Sequence, residues 1–455
     1  MIHCAQFTAQ GGTDGSVRHW AVRRQPAAKR GVWLAGRVAS VGGHRLSVRS
    51  LGGTRAGEMR AHRFLNNEAV TVAEIVGTAT ARTALRCEGR HVLAIQDSTN
   101  LRADPTGGVG LRLHPTIMVD ATDGALLGLG HAEVLEPGQG QAASRRQRPF
   151  DEKESRRWLT AAEQVTAEAG AVAERVTVVG DSESDVFDLF ARRPEGCGLL
   201  IRAQQDRCVE NGKRLFSFAD SLPEGGRAQV DLPAAPGRRA RTMTLALRFS
   251  RVTLMRPKNA SKQDRETLPE AVPVWVVDAR EIDAPASVEP AHWRLLTTDQ
   301  VNDAADARRV VGFYRQRWVI EQLFRTMKKK GFDVEGLRLK SDTARAVLAA
   351  ITLVVAIIVQ QMVHDRDGTA RRPIEDAFDA DDLPAMRAVC AKLEGKTARQ
   401  KNPHPPDSLA YAAWVCGRLG GWTGYYGKPG PIVMLRGWLA FQRIKHGWDL
   451  ALAEV

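Results

Sequence analysis

The sequence predicts an α/β fold in which helices flank a mixed β-sheet. Between about residues 91 and 364, short apolar runs bounded by turn residues alternate with longer segments of helical character. Two of these runs, "HVLAIQDSTNL" and "RVTVVGDSESD", end in polar residues that begin with an aspartate. The 455-residue chain carries a formal net charge of +13, which favours a polyanionic partner, most commonly nucleic acid.

The elements are predicted in chain order from their periodicity and their turn residues. Residues 58–85 predict a helix, a break and a second helix, and residues 91–101 a short buried strand. Two more strands follow as a hairpin centred on Asp123 and Gly124. Further along the chain we expect a helix at 151–172 with acids in its first turn, a buried strand at 175–185, a helix at 184–193 and a strand at 196–207.

The order of three strands, helix, strand, helix, strand and a later long helix is that of a ribonuclease-H-like domain. Residues 206–296 are punctuated by Pro and Gly and show strand-like alternation, which predicts a mostly β insertion. Helices are expected again at 298–330 and 341–364, followed by a hinge and a small terminal unit. The sequence thus predicts four parts: an irregular basic segment 1–57, a helical segment 58–90, a ribonuclease-H-like unit 91–364 and a terminal helical unit 365–455.

Two general properties narrow the class of protein. The six cysteines (Cys4, Cys87, Cys197, Cys208, Cys390 and Cys416) include no C-x-x-C pair, which argues against a disulfide framework and a structural zinc site and suits a reducing cytoplasm. The apolar segment 346–363 is interrupted after about fourteen residues, short of the ~20 that a bilayer needs, so we expect a buried core helix. No signal peptide and no membrane association are expected.

The segment "FYRQRWVIEQLFRTMKKKGF" predicts a helix with an unusual polar stripe. At about 100° per residue, Tyr314, Arg317, Glu321 and Lys328 fall within roughly 60° of one another. Such a stripe is most often a solvated face, and Glu321 with Arg325 would make an ordinary i,i+4 pair.

Two aspartates are expected to meet at one edge of the sheet. In a ribonuclease-H-like order the first and fourth strands lie side by side, so Asp97 and Asp181 at their ends can converge. Each alone has a simpler explanation, because Asp97 fits an Asx-turn and Asp181 fits a helix cap. Together with Glu321 they supply three hard oxygen ligands, which suit two Mg²⁺ or Mn²⁺ ions and phosphoryl transfer. Arg317 and Lys328 would then be fixed cations for a phosphate.

The spacing Tyr314-(2)-Arg317-(3)-Glu321-(6)-Lys328 matches the Y-R-E-K signature of the insertion-sequence-4 family of DDE transposases. The chain resembles that family from about residue 55 to its C-terminus, with the β insertion only loosely covered. "LAIQDSTNL" and "VVGDSESDVFDLF" resemble the two aspartate strands of the family. The other similar segments are "DEKESRRWL" after the hairpin, "EMRAHRFLNNEAV" in the end-binding domain and "LAYAAWVCGRLGGW" in the dimerisation domain.

The resemblance implies roles for individual residues. Asp97, Asp181 and Glu321 would be the catalytic triad that holds two Mg²⁺ or Mn²⁺ ions, and Tyr314, Arg317 and Lys328 would contact DNA phosphates near the cut. Trp293, 21 residues before Tyr314, would stack on a base flipped out of the transposon end, although plain core packing also explains it. Arg202 is a weaker candidate for a phosphate contact.

The resemblance also implies activity, partners and domains. The protein would be a cut-and-paste transposase in the bacterial cytoplasm, associated with the nucleoid. It would act as a homodimer on double-stranded DNA, both inverted-repeat ends and target. Residues 58–90 would be a remnant of the end-binding domain, 91–364 the catalytic domain and 365–455 a dimerisation domain, with an exposed apolar stripe at 432–444. A relic that binds DNA and inhibits transposition through mixed dimers, and a ribonuclease-H-like nuclease with another task, remain as alternatives.

Residues 1–57 depart from the family pattern. They contain one acid, Asp14, against nine Lys or Arg, and they show no sustained apolar period of 3.6 residues. Two explanations are open: a native basic arm that contacts phosphates without sequence preference, or a frameshift or wrong start that has replaced the native N-terminus. Either predicts an irregular, loosely packed segment.

Overall fold

The fold is built on one large mixed β-sheet with helices on both faces. This computed structural model describes residues 48–101, 110–135, 149–232, 240–286, 288–328, 332, 334, 339, 341–425 and 427–453. Within these ranges ten strands pair into a single sheet. The predicted α/β class is therefore confirmed, and the sheet is consistent with a ribonuclease-H-like transposase domain. The strands are β1 (His91–Gln96), β2 (Thr99–Leu101), β3 (Leu111–Asp120), β4 (Leu126–Leu135), β5 (Arg175–Gly180), β6 (Cys197–Arg202), β7 (Gly226–Leu232), β8 (Arg241–Met255), β9 (Ala271–Glu281) and β10 (His292–Thr297).

Helices precede the sheet, cross over between its strands and follow it. In the described ranges they are α1 (Val48–Gly52), α2 (Arg55–Leu65), α3 (Val72–Arg86), α4 (Arg156–Ala169), α5 (Phe187–Ala191), α6 (Leu215–Ser221), α7 (Lys262–Thr267), α8 (Ala304–Gln316), α9 (Trp318–Met327), α10 (Asp342–Asp365), α11 (Leu383–Leu393), α12 (Leu409–Leu419) and α13 (Pro431–Ala453).

The strand order along the sheet is β2-β3-β1-β5-β6-β10-β9-β8-β7, and β4 pairs with β3 outside this path. Strands β1, β5 and β6 are parallel. The connection through α4 leads into β5 and the one through α5 leads into β6, and each returns the chain to the end of the sheet at which the preceding parallel strand began. The β3–β4 hairpin turns where it was predicted: the Asp123 carboxylate accepts from the Ala125 amide at 2.8 Å, and Gly124 has a φ of +73°. The first aspartate strand thus lies beside the second.

The β-rich region at 206–296 continues the main sheet. Strands β7, β8 and β9 form an antiparallel meander, and β10 then inserts between β9 and β6. Because β10 joins the meander to the parallel strands, the four strands extend the sheet sideways instead of forming a separate layer.

Two apolar cores lie on opposite faces of the sheet. One contains the buried faces of α4, α5 and α6, including Trp158 and Phe187. The other contains α8, α9 and α10. Helix α10 is long and apolar enough to cross a membrane by composition, but 89% of its most apolar window is buried inside the fold. The prediction of a buried core helix is confirmed.

The predicted apolar stripe at 432–444 is mostly internal. Met434, Trp438 and Phe441 of α13 are buried within the chain, because α13 packs closely on α12. A Cβ at Gly437 would stand 1.6 Å from the Cys416 carbonyl oxygen, so only glycine permits this approach. The exposed apolar side chains of α13 come later and include Leu450 and the stripe Ile444, Trp448 and Leu452.

The expectation of an irregular segment as far as residue 57 needs a correction; residues 1–47 lie outside the described residues. Helices α1 and α2 begin before residue 58, and Leu51 is fully buried. The two helices meet at glycines, because a Cβ at Gly57 would stand 2.1 Å from the Gly52 carbonyl oxygen. Thr54 caps α2 by accepting from the Gly57 amide at 3.1 Å. Sequence reasoning missed this ordered packing because a glycine-rich segment shows no apolar periodicity of 3.6 residues.

Candidate active site

Asp97 and Asp181 leave adjacent parallel strands at the same edge of the sheet. The register pairs Ile95 of β1 with Val179 of β5, so the chain reaches each aspartate two residues later. Asp181 has the predicted capping role, because its Oδ1 accepts from the Glu183 amide at 2.9 Å. Asp97 Oδ1 accepts instead from the amide of the next residue, Ser98, at 2.7 Å, whereas the predicted Asx-turn would use the amide two residues on. Capping and convergence therefore coexist, since a carboxylate has two oxygens.

Glu321 reaches this edge from α9. The predicted single helix is in fact two helices, α8 and α9, which meet at Arg317. The backbone tightens there: the Arg317 amide donates to the Tyr314 carbonyl at 3.1 Å, and the Ile320 amide donates to the Arg317 carbonyl at 3.2 Å. The helical direction is kept because Arg317 retains right-handed dihedral angles.

Arg317 joins the helix to the first aspartate. Its Nη1 donates to Asp97 Oδ2 at 3.1 Å, and its Nη2 donates to Glu321 Oε1. The side chain is largely buried, as are those of both partners. Glu321 therefore pairs with the arginine four residues before it, whereas the guanidinium of Arg325 lies 5.1 Å from the ring centroid of Trp318.

The other two carboxylates lie close enough to Asp97 to raise its pKa. Burial, followed by the charge of Asp181, raises the pKa of Asp97 to about 7, although Arg317 opposes this change; Glu321 adds a smaller increase. Burial would lower the pKa of Arg317, but Tyr314, Glu321 and the two aspartates raise it. The edge of the sheet thus holds more negative charge than its one bridging arginine neutralises.

The donor set fits a divalent metal. Asp97, Asp181 and Glu321 offer hard carboxylate oxygens. Burial, followed by the charge of Asp181, raises the pKa of Asp97, and a dication would favour its charged form. Within the described ranges, however, no three His, Cys, Asp or Glu side chains lie close enough together to form a metal site in this structure. Here the guanidinium of Arg317 contacts both Asp97 and Glu321.

Aromatic and basic side chains line the same edge. The rings of Trp293 and Tyr314 lie 5.9 Å apart between centroids, and the guanidinium of Arg317 lies 6.0 Å from the Tyr314 ring. Tyr314 is 5% exposed, and burial raises its pKa, although Arg317 and a hydrogen bond from Arg202 oppose this shift. Arg202 also donates to the His292 carbonyl at 3.4 Å. The structure thus brings Arg202, Trp293, Tyr314 and Arg317 together beside the carboxylates.

Lys328 comes directly after α9. Its amide donates to the Phe324 carbonyl at 3.0 Å, and its side chain is half-buried. The backbone leaves the helical conformation at Lys328. Helical periodicity therefore no longer determines whether its side chain lies on the same stripe as Tyr314, Arg317 and Glu321. Residues 329–331, with which the predicted helix ended, lie outside the described residues.

Two features of this edge were missed by sequence reasoning. Trp318 is 49% exposed and stacks with Arg325, although its position among apolar residues predicts burial. A polar network behind the aspartates, centred on Arg157, was also missed. A signal for it existed, because a second arginine follows Arg156 within "DEKESRRWL", where a buried face is expected.

A comparison with known protein families bears on this geometry. Residues 145–359 match the family model described as Transposase DDE domain. The match supports a DDE transposase. It spans a little under half of the chain and includes Asp181 and Glu321, whereas Asp97 lies before its first residue. The family is one of DNA-acting enzymes, so the match supports transposase activity and DNA as the partner of this chain.

Proposed function

We propose that this chain is a cut-and-paste DNA transposase that cleaves and joins DNA by metal-dependent phosphoryl transfer. Asp97 and Asp181 follow adjacent parallel strands, and Arg317 bridges Asp97 and Glu321; this arrangement is the observation that supports the proposal. The Y-R-E-K spacing favours the insertion-sequence-4 family, and the chain looks most like the transposase of transposon five.

The three carboxylates would hold two Mg²⁺ or Mn²⁺ ions. When bound, such ions activate an attacking water or 3′-hydroxyl and stabilise the leaving oxygen of a phosphodiester. With cations on the carboxylates, Arg317 would lose its electrostatic hold on Asp97 and Glu321 and would be available to a DNA phosphate. A guanidinium suits this change of partner, since its fork matches carboxylate and phosphate equally well.

The aromatic and basic side chains would hold the DNA end. Arg202, at the end of β6, and Lys328, directly after α9, would supply further positive charge for phosphates. Trp293 is half-buried against Tyr314, so part of its ring remains available for stacking on an extruded base. In this arrangement nicking, hairpin formation, hairpin opening and strand transfer all occur at one set of carboxylates.

The active species is proposed to be a homodimer on paired inverted-repeat ends. The stripe Ile444, Trp448 and Leu452 repeats every four residues along α13 and is exposed in the single chain. A regular apolar stripe on an exposed helix suits pairing with a second copy. Residues 58–90 are proposed as the remnant of the end-binding domain, and residues 365–455 as the dimerisation domain.

The decisive experiment is a strand-cleavage assay on the element's own inverted repeats with and without Mg²⁺. We expect nicks at the element's end, followed by hairpin and joined products, only when the ion is present. Cleavage of unrelated duplexes at the same rate would indicate a general nuclease. Binding to the ends without any cleavage would indicate a relic that inhibits transposition.

A further inference from the structure

Arg157 lies behind the two aspartates and contacts both of the turns that carry them. It is a buried residue of α4, 8% exposed, on the face that packs against the sheet. Its Nε donates to Ser98 Oγ at 3.0 Å, and Ser98 directly follows Asp97. Its Nη2 donates to Glu183 Oε2 at 3.4 Å, and the amide of Glu183 donates to Asp181. One guanidinium therefore links two turns whose aspartates are 84 positions apart in the sequence.

The guanidinium itself is held in place from two further directions. Its Nη1 donates to the Glu154 carbonyl at 2.8 Å, at the start of α4. Its carbon lies 4.8 Å from the ring centroid of Trp158, a fully buried side chain of the same helix. The position of Arg157 is thus set by α4, so its contacts transmit the position of that helix to both turns.

The hydrogen bonds beyond Ser98 have one consistent polarity. Because Ser98 Oγ accepts from Arg157, its own proton is directed to His114 Nδ1, 2.9 Å away. His114 then carries its proton on Nε2 and donates to Gln96 Oε1 at 3.2 Å. Burial and the nearby Arg157 keep the pKa of His114 well below its usual range, which favours the neutral ring that these bonds require. The chain of bonds runs from Gln96, before Asp97, to Glu183, after Asp181.

We propose that Arg157 is a positioning residue that fixes the separation of the Asp97 and Asp181 carboxylates and thereby sets the affinity of the site for divalent cations. This inference rests on the proposed function, because it concerns the ligands of the same metal site. Arg157 does not touch the reacting atoms; it acts through Ser98 on one turn and through Glu183 on the other.

Only an arginine can make these contacts together. Its planar fork donates from Nε, Nη1 and Nη2 in three directions, whereas a lysine ammonium at this depth would reach one of the turns and leave the other. Groups that orient metal ligands from behind typically contribute about 10–100-fold to metal affinity. Losing the fork should therefore weaken cation binding while leaving the three carboxylates in the chain.

The test measures Mn²⁺ binding to the full chain without DNA, from the electron paramagnetic resonance signal of free Mn²⁺. The variants are Arg157→Gln, Arg157→Lys and Ser98→Ala. Arg156→Gln is the matched control, because Arg156 neighbours Arg157 on α4 but pairs outward with Asp151 and Glu163. We expect the Kd for Mn²⁺ to rise roughly 10–100-fold in Arg157→Gln and less in the other two variants. The control should bind as the wild type does.

A second measurement separates positioning from loss of folding. In a nicking assay, Arg157→Gln should need more Mn²⁺ for half-maximal rate but approach the wild-type rate when Mn²⁺ is saturating. An unfolded fraction would instead lower the rate by the same factor at every Mn²⁺ concentration. Ser98→Ala, which removes no buried charge, gives the same test if Arg157→Gln does not fold.

The outcomes distinguish the inference from the function on which it rests. Wild-type Mn²⁺ affinity in both Arg157→Gln and Ser98→Ala would overturn the positioning role alone. A wild-type chain that binds no Mn²⁺, or an Asp97→Asn variant that binds it as well as the wild type, would overturn the metal site and the proposed function with it.

Discussion

Arg317 Nη1 donates to Asp97 Oδ2 at 3.1 Å although the two residues are 220 positions apart in the sequence. The same guanidinium donates to Glu321 one helical turn away. This contact fixes where α9 lies relative to the first strand of the sheet. The positive charge of Arg317 is held here by the carboxylates of Asp97 and Glu321.

Each of the three carboxylates should be essential for cleavage. We expect Asp97→Asn, Asp181→Asn and Glu321→Gln to lower the nicking rate by about 10³-fold or more, since metal stabilisation of the transition state amounts to several kcal/mol. Binding to DNA ends should change little, because basic residues provide that affinity. Rates and band-shift affinities measured on the same preparations test this, and near-normal cutting by any one variant would refute the triad.

Trp293 should act after the first nick. Its ring lies against Tyr314 at the edge of the carboxylate site, so we expect Trp293→Ala to nick at close to the wild-type rate but to form hairpins roughly tenfold more slowly, since one base–aromatic stack provides ~1–3 kcal/mol. Trp293→Phe, which keeps an aromatic face, is the matched control and should form hairpins better than the alanine variant. Equal loss of nicking and hairpin formation in Trp293→Ala would support core packing instead.

The late stripe of α13 should be required for pairing two ends. We expect the triple substitution Ile444→Ser, Trp448→Ser and Leu452→Ser to leave binding to a single end intact and to abolish the paired-end complex. These side chains are exposed in the single chain, so their loss should not unfold it. Light scattering and gel shifts with one or two labelled ends provide the measurement. If the triple variant forms paired-end complexes of unchanged stability, this stripe is not the surface through which two chains pair.

Substitutions are a better test of pairing than truncation near residue 370. Helix α12 is buried against neighbouring helices, and its residues Leu409 and Cys416 are 1% and 0% exposed. Removing the terminal unit would therefore uncover the core around α10, and loss of pairing could not be separated from loss of folding.

His364 should make folding sensitive to acid. Burial, followed by the charge of Arg366, lowers the pKa of His364 to about 4, against about 6.5 in an unfolded chain. The unfolded state therefore binds a proton first, so this contribution is complete above pH 6.5 and is lost as the pH falls from 6.5 to about 4. In denaturant titrations between these pH values, we expect the free energy of unfolding of His364→Gln to fall by roughly 1–3 kcal/mol less than that of the wild type.

The comparison with the variant isolates His364 from its neighbour. Burial raises the pKa of Asp365 to about 6, and this group acts in the opposite direction, because its cost to the folded state disappears as the pH falls. Asp365 is present in both proteins, so its effect cancels. Identical acid sensitivity of the two proteins would show that His364 is not buried in its neutral form.

The chain should discriminate poorly between its own ends and random DNA. Residues 1–57 are rich in positive charge but lack the amphipathic period of helices that enter DNA grooves, so charge-driven affinity should survive while base readout is lost. We expect less than about a tenfold preference for the inverted repeats, where specific binders show about 10³ or more. Competition band shifts at fixed salt measure the ratio, and a thousandfold preference would establish residues 1–57 as a native end-binding segment.

The adjacency of the aspartate strands was predictable from the sequence. The two apolar runs that end in Asp97 and Asp181 occupy the first and fourth strand positions of a ribonuclease-H-like order, and the two strands pair side by side in the structure. The turn at Gly124 was predictable for a local reason, since an Asp-Gly pair favours a tight hairpin turn.

Contacts between distant side chains were not predictable. The i,i+4 rule offers Glu321 either Arg317 or Arg325, and only the position of Asp97 decides in favour of Arg317. Likewise, the network of Arg157 depends on how deeply α4 packs against the sheet, which periodicity does not give. The exposed stripe of α13 was placed too early because the close approach at Gly437, which buries the first half of that helix, leaves no trace in an apolar pattern.

The position of β10 has a consequence for how the protein is made. This strand is the last of the ten to leave the ribosome, yet it lies between β6 and β9. Until residue 297 has been synthesised, the edges of β6 and β9 remain unpaired and the two parts of the sheet have no direct link. Glu321 follows soon after, when more than two-thirds of the 455 residues are complete. A nascent or prematurely terminated chain that ends before residue 297 thus has an unfinished sheet, and one that ends before residue 321 has only two of the three carboxylates. Under the proposed function, neither kind of fragment would cut DNA.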